Sequence, residues 1–288
     1  MKTAIVTDTN SGITVEDGRA KGIYVVAMPV IIDGKCYLEG VDITNEQLYD
    51  ALKNGRDVSS SQPSPGDVMD SWNAVFDEGY DEIVYIPMSS GLSGSCHSAA
   101  QFAMEYNGKV HVTDNHRISV TLKESVYEAK HMADRGCGAG DIKEYLERSA
   151  YESSIYVAVN SLKYLKKSGR VTASAAAVAG MLNIKPVLTI QGEKLDLFTK
   201  VRGMKQSKKK MVEAIKADIA SRFREAAADR IRIGAAGTFE KEEDAGWWLE
   251  MVRKTFPDTE VYYTPLSCSI ACHVGIDSVG IGVCVVNE

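Results

Sequence analysis

Through the first half of the chain, short apolar runs alternate with stretches that place apolar residues on one helical face. The runs at 4–7, 24–31, 83–87 and 110–113 have the length and polar borders of buried strands. Residues 44–53, 67–78, 95–106 and 118–133 carry helical periodicity. Thr44, with Gln47 three residues on, has the form of a capping box for the first of these helices. Strands separated by helices predict a parallel sheet with helices on both faces. The Gly-rich segment 135–140 predicts a helix stop, followed by Asp141 as the N-cap of a helix over 141–149.

From the strand predicted at 155–159 the pattern changes. A hairpin is expected between 187–190 and 196–200 across Gln191-Gly192, followed by two helices and strands at 232–236, 260–264 and 280–286. The expected fold is therefore α/β in two parts. Residues 1–153 form a three-layer parallel-sheet domain, and residues 154–288 form an α+β domain with one mixed sheet and helices on one side.

Length and composition narrow the function classes. A chain of 288 residues is comfortable for two cores, and 44% hydrophobic with 25% charged residues describes an ordinary globular protein. The formal charge of -6 lacks the basic footprint of nucleic-acid binding. The longest apolar stretches, 23–32 and 173–182, fall short of the roughly 20 residues of a membrane helix. Because the chain passes from Met1 straight into a strand pattern, a cytoplasmic location is expected. The six cysteines are irregularly spaced, which favours free thiols. Cys268-x-x-x-Cys272-His273 has no second ligand pair, so no metal site is expected.

Candidate chemistry lies in two serine-dense turns, 59–64 and 89–95, each handing over to a predicted helix whose first N–H groups point outward. A serine there is most often an N-cap. Two such turns at the carboxyl ends of parallel strands could instead hold a carboxylate or phosphate. The stretch 173–182 is built almost wholly of small side chains, which suit either close packing or a groove for something long and thin. Arg170 and Arg202 each stand beside a glycine in a predicted turn and carry the fork that suits carboxylate or phosphate.

In order and spacing, Ile5-Val6-Thr7-Asp8-Thr9, Ser60-Ser61-Gln62-Pro63-Ser64, Leu92-Ser93-Gly94-Ser95, 162–170 ending in Lys167-Ser168-Gly169-Arg170, Asn183-Ile184-Lys185-Pro186, Lys200-Val201-Arg202-Gly203 and His273-Val274-Gly275 resemble the DegV family. That family comprises bacterial fatty-acid-binding proteins, among them the B subunit of fatty acid kinase. The resemblance implies a bound long-chain fatty acid, no cofactor, and an acyl-chain pocket in the second domain. Its carboxylate would be held by Ser60 and Ser93, with Ser61, Gly94, Arg170, Arg202 and His273 around it. The resemblance also implies a separate ATP-dependent kinase as partner in phospholipid metabolism, with Arg170 and His273 assisting phosphoryl transfer. The chain departs from the family pattern at Ile276-Asp277, where Pro-Gly is common, which adds a carboxylate. In a pocket of this kind the tail dominates affinity. About sixteen methylenes at roughly 0.8 kcal/mol each amount to on the order of 13 kcal/mol gross, against roughly 1.5–3 for one charged hydrogen bond.

The competing reading is a serine-nucleophile acyl hydrolase using Ser93 and His273. Gly91-Leu92-Ser93-Gly94-Ser95 approaches the nucleophile elbow but lacks its last glycine. No phosphate-binding loop of the Gly-x-x-x-x-Gly-Lys-Ser/Thr type occurs, so any ATP would come with a partner.

Overall fold

The computed structural model describes residues 1–178 and 183–287. Of the small-residue stretch 173–182, residues 179–182 lie outside the described residues. The first part of the chain runs through β1 (Thr3–Asp8), α1 (Val15–Lys21), β2 (Ile23–Val26), β3 (Pro29–Ile32), β4 (Lys35–Leu38), α2 (Asn45–Lys53) and β5 (Val58–Ser60). It continues through α3 (Pro65–Asp77), β6 (Glu82–Ile86), α4 (Ser95–Ala103), β7 (Val110–Val112), α5 (Ser119–Asp134) and α6 (Ala139–Arg148). Then come β8 (Ser153–Ala158), α7 (Lys163–Ser168), α8 (Ala173–Ala176), β9 (Ile184–Ile190), β10 (Asp196–Arg202) and α9 (Met204–Ser221). The last elements are β11 (Ile231–Gly237), α10 (Glu242–Thr255), β12 (Glu260–Pro265), α11 (Cys268–Val274) and β13 (Val279–Val285).

The fold is α/β, with a parallel-sheet domain and a mixed-sheet domain. The parallel sheet has the order β2-β1-β6-β7. Because successive strand residues face opposite sides, Ala4 and Val6 of β1 join the core beneath α3 and α4, whereas Ile5 joins the core containing Val126 of α5 and Ile142 of α6. The mixed sheet has the order β10-β9-β8-β13-β11-β12, antiparallel except for the β11–β12 pair. The same alternation sends Tyr156 and Ala158 towards α9 and α10, and Ile155 and Val157 towards α5. Of the second domain's helices, α9 and α10 cover one face of its sheet, while α5 of the first domain lies on the other face, in a core that α7, α8 and α11 also join.

Close approach of α5 is possible because its first turn meets glycines. A Cβ at Gly282 would stand 2.6 Å from Val120 Cγ2 and 3.0 Å from Thr121 Cγ2, and Val120 also occupies the space over Gly234. One helix thus seals both sheets, and the seam between them is where the site forms.

Several local expectations are refined. The run 24–31 is two strands in two sheets: β2 extends the parallel sheet, while β3 lies at the centre of a small antiparallel sheet, β4-β3-β5. Asp141 is not an N-cap. The α6 helix begins at Ala139, with Gly138 at the cap position, and Ala139 N–H donates to Glu82 Oε2 at 3.0 Å, so a carboxylate from β6 occupies the capping role. The capping box at Thr44 and Gln47 is present. All six cysteines are free thiols. Among the described residues no helix is long and apolar enough to cross a membrane, and no cluster of His, Cys, Asp or Glu forms a metal site.

Candidate functional site

The first serine turn divides its labour. Ser64 caps α3, accepting from Asp67 N–H at 3.1 Å, with Pro65 at the first helical position. Ser60, at the end of β5, and Ser61 and Gln62 beyond it face a cavity between the two sheets. In the second turn, Ser89 folds inward, its hydroxyl donating to the Gly192 carbonyl in the β9–β10 turn. Ser93 lines the cavity, and its Oγ accepts from Ser95 N–H at 3.2 Å. The N-terminus of α4 has no side-chain cap. Gln62 joins the two turns by donating to Ser98 Oγ at 3.2 Å.

Two later segments complete the polar end. The α7 helix stops at Gly169, whose φ of 68° suits glycine, and the chain turns to present Arg170 to the cavity. The α11 helix starts at Ser267, whose hydroxyl accepts from Ile270 N–H at 3.2 Å. Its next two amides, Cys268 N–H at 2.6 Å and Ser269 N–H at 3.3 Å, donate to the buried carboxylate of Glu39. This helix carries Ser269, Ile270, His273 and Val274 into the cavity wall. His273 Nε2 lies 2.8 Å from Ser60 Oγ.

Burial, and then the nearby Arg170 charge, push the His273 pKa down to about 4, so the ring is neutral at pH 7. Its buried Nδ1 finds no partner among the described residues. Beneath α11, burial pushes Glu39 up to about 7 and Asp8 up to about 6, against their backbone hydrogen bonds. The polar lining of the cavity therefore includes a hydroxyl–imidazole pair, a second hydroxyl and a guanidinium. Most of the remaining wall is apolar, including Leu92, Ile118, Val120, Ile155, Val157, Leu165, Ile190 and Leu195 with Met28 and Met88, and Asn10 and Ser119 add polar groups to it. The space, counted out to its opening, is about 890 Å³. An apolar compartment with a few convergent polar groups at one end suits an amphiphile with a small anionic head.

Of the residues singled out from sequence, the structure brings together Ser60, Ser61, Ser93, Arg170 and His273 at this cavity. Gly94 sits just outside at the N-cap of α4, where a Cβ would stand 3.2 Å from Gln62 Oε1. Arg202 is exposed at the end of β10 and does not line the cavity. The hydrolase pairing of Ser93 with His273 is not what forms: the imidazole bonds Ser60, and among the described residues no carboxylate orients its Nδ1. Sequence reading missed Glu39, and it singled out His273 without placing the helix α11 that carries it. A signal for the helix was available, because Ser267 precedes Ile270 and Val274 at i, i+4 spacing.

Comparison with known proteins agrees along nearly the whole chain. The sequence model described as "Uncharacterised protein, DegV family" matches residues 2–286. A DegV domain-containing protein of Deinococcus radiodurans is 32% identical over 217 residues, covering 75% of this chain and 77% of that protein. The structure of a fatty-acid-binding DegV family protein from Thermus thermophilus superposes with a TM-score of 0.88 at 26% identity, covering 99% of this chain and 100% of that one. A fatty-acid-binding DegV family protein from Streptococcus agalactiae does so with a TM-score of 0.84 at 26% identity, over 100% of both chains.

Proposed function

We propose, for a chain that belongs to the DegV family, that it binds a long-chain fatty acid with its carboxylate at the Ser60–His273 end of the cavity and its acyl chain between the two sheets. The observation that carries this reading is the cavity itself, lined mostly by apolar side chains and carrying Ser60, Ser93, Arg170 and His273 among its polar groups. A carboxylate there meets two hydroxyls able to donate and a guanidinium that offsets its charge, while the apolar walls supply most of the affinity.

In the same reading the bound acid is presented to a separate ATP-dependent kinase, which transfers phosphate to the carboxylate. Arg202, exposed with Lys200 and Lys205 at the far end of β10 and outside the cavity, would be left to contact the kinase, while Arg170 and His273 would stand beside the transferring group. A guanidinium placed there neutralises charge that develops during transfer. The chain needs no cofactor and no catalytic activity of its own for this role. It would act in the cytoplasm, where the kinase and its ATP are found.

Organic extraction of the purified protein followed by mass spectrometry is expected to release a long-chain acid. Recovery of no acyl species, together with no thermal shift on adding palmitate or oleate, would overturn the assignment. Labelling by a fluorophosphonate separates the hydrolase reading, since it marks an activated serine and spares one that only hydrogen-bonds.

A further inference from the structure

One face of the mixed sheet carries four consecutive small positions. Gly234 and Ala236 of β11 lie opposite Gly282 and Gly280 of β13. A glycine inside a strand weakens it, and usually marks a bulge, a special backbone conformation, a close neighbour or room for a ligand. At Gly282 and Gly234 the reason is the neighbour, because Val120 of α5 fills the missing side chains.

Gly280 has none of the first three reasons. Its pairing with β8 and β11 continues without a register shift, and its φ is not positive. A Cβ placed there would meet nothing closer than 3.8 Å, the nearest atoms being Ala236 Cβ and Tyr156 O. Its carbonyl accepts from Trp248 Nε1 at 3.0 Å, a bond that any residue could make. What remains is space, and Gly280 lines the cavity beside Val157 and Ala236.

We propose that Gly280 is the position that determines which acyl chains the cavity accepts: the side chain missing from β13 is room for the chain of the ligand, bounded by Ala236 and Val157. This rests on the fatty-acid reading above. The substrate class it implies is a full-length acyl chain, and any side chain at residue 280 shortens or narrows what fits. Each methylene excluded from apolar surroundings lowers affinity about fourfold.

The test compares wild type, Gly280→Ala and Gly280→Val for binding of straight-chain acids from decanoic to stearic, with thermal unfolding as the measure of folding. Gly280→Val displaces about three carbons' worth of space. It is expected to weaken stearic acid by on the order of fiftyfold and decanoic acid by less than about threefold, moving the preferred length downward. Gly280→Ala, whose Cβ fits at ordinary contact distance, keeps the question open to refutation even where the valine variant does not fold. It is expected to weaken stearic acid about fourfold with little change for decanoic acid. Folded variants whose length profile matches the wild type, or which lose all acids equally, would overturn the assignment of Gly280 while leaving the fatty-acid reading standing. A wild-type protein that binds none of the acids would overturn both.

Discussion

Replacing Glu39 with glutamine removes a buried negative charge while keeping the shape of the side chain. In the folded protein the Glu39 carboxylate accepts from Cys268 N–H at 2.6 Å, Thr9 Oγ1 at 2.9 Å and Ser269 N–H at 3.3 Å. These bonds favour the charged form, but burial outweighs them, and the nearby Asp8 adds to the shift, so the pKa rises from 4.5 to about 7. A carboxyl whose folded pKa is raised contributes stability that is full below its unfolded pKa and is lost as pH climbs through the folded one. Between pH 4.5 and 7, at 1.36 kcal/mol per unit, the wild type should lose about 3 kcal/mol through this group. Glutamine resembles the protonated form and does not titrate. Urea unfolding of both proteins from about pH 4 to about pH 8 should therefore show Glu39→Gln gaining on the wild type by about 3 kcal/mol from the acid to the alkaline end, starting from an acid-end deficit set by the donors its amide nitrogen cannot accept from. Asp8 titrates in the same direction in both proteins and largely cancels in the difference. Parallel pH profiles would refute the reasoning, because they would mean that Glu39 ionises as freely in the fold as in water.

Three further outcomes are expected. Ser60→Ala combined with Ser93→Ala should weaken fatty-acid binding by roughly ten- to a hundredfold, the loss from depriving a charged acceptor of its donors, and unchanged affinity by fluorescence titration would contradict the placement of the carboxylate. Arg170→Ala should weaken acid binding modestly, since the guanidinium offsets the carboxylate charge, and lower acyl-phosphate formation by a further factor of about two orders of magnitude when a cognate kinase is supplied, because the charge it faces grows during transfer. Equal rates for variant and wild type would remove Arg170 from the reaction. Gly282→Ala should cost about 1–3 kcal/mol in urea unfolding, since the added methyl meets Val120 and Thr121, and a variant as stable as the wild type would show that α5 does not press on the sheet.

The elements that could be read from sequence are those whose burial is one-sided and local. Both β1 and β6 alternate between two cores, and α2 announces itself through Thr44 and Gln47. Where one apolar run serves two sheets, periodicity does not show the break: residues 24–31 are uniformly apolar, yet the chain turns at Pro29 and changes sheet there. The cap of α6 was misplaced for a related reason, since the carboxylate beside its first amide comes from Glu82, far back in the chain. The serine turns were visible as turns. That Ser60 rather than Ser93 meets His273 depends on a contact across 213 residues, and neither spacing nor composition encodes it. Glu39 was invisible because its partners are the distant Thr9 hydroxyl and two backbone amides of a helix that the sequence reading did not place.

The helix α5 crosses the middle of the molecule with Val120 set over Gly234 and Gly282 and with Val126 and Ala129 packed in the core shared with the parallel sheet. In return, α11 from the far end of the chain packs against β3, β5 and α2 near its beginning. Each half of the chain thus keeps one helix in the territory of the other, and the two are not separable modules. Chimeras that join the front of one homologue to the back of another at the start of β8 would fold only when the residue at 120 and the glycines at 234 and 282 come from matching parents, so in recombination between relatives these three positions should be inherited as a set.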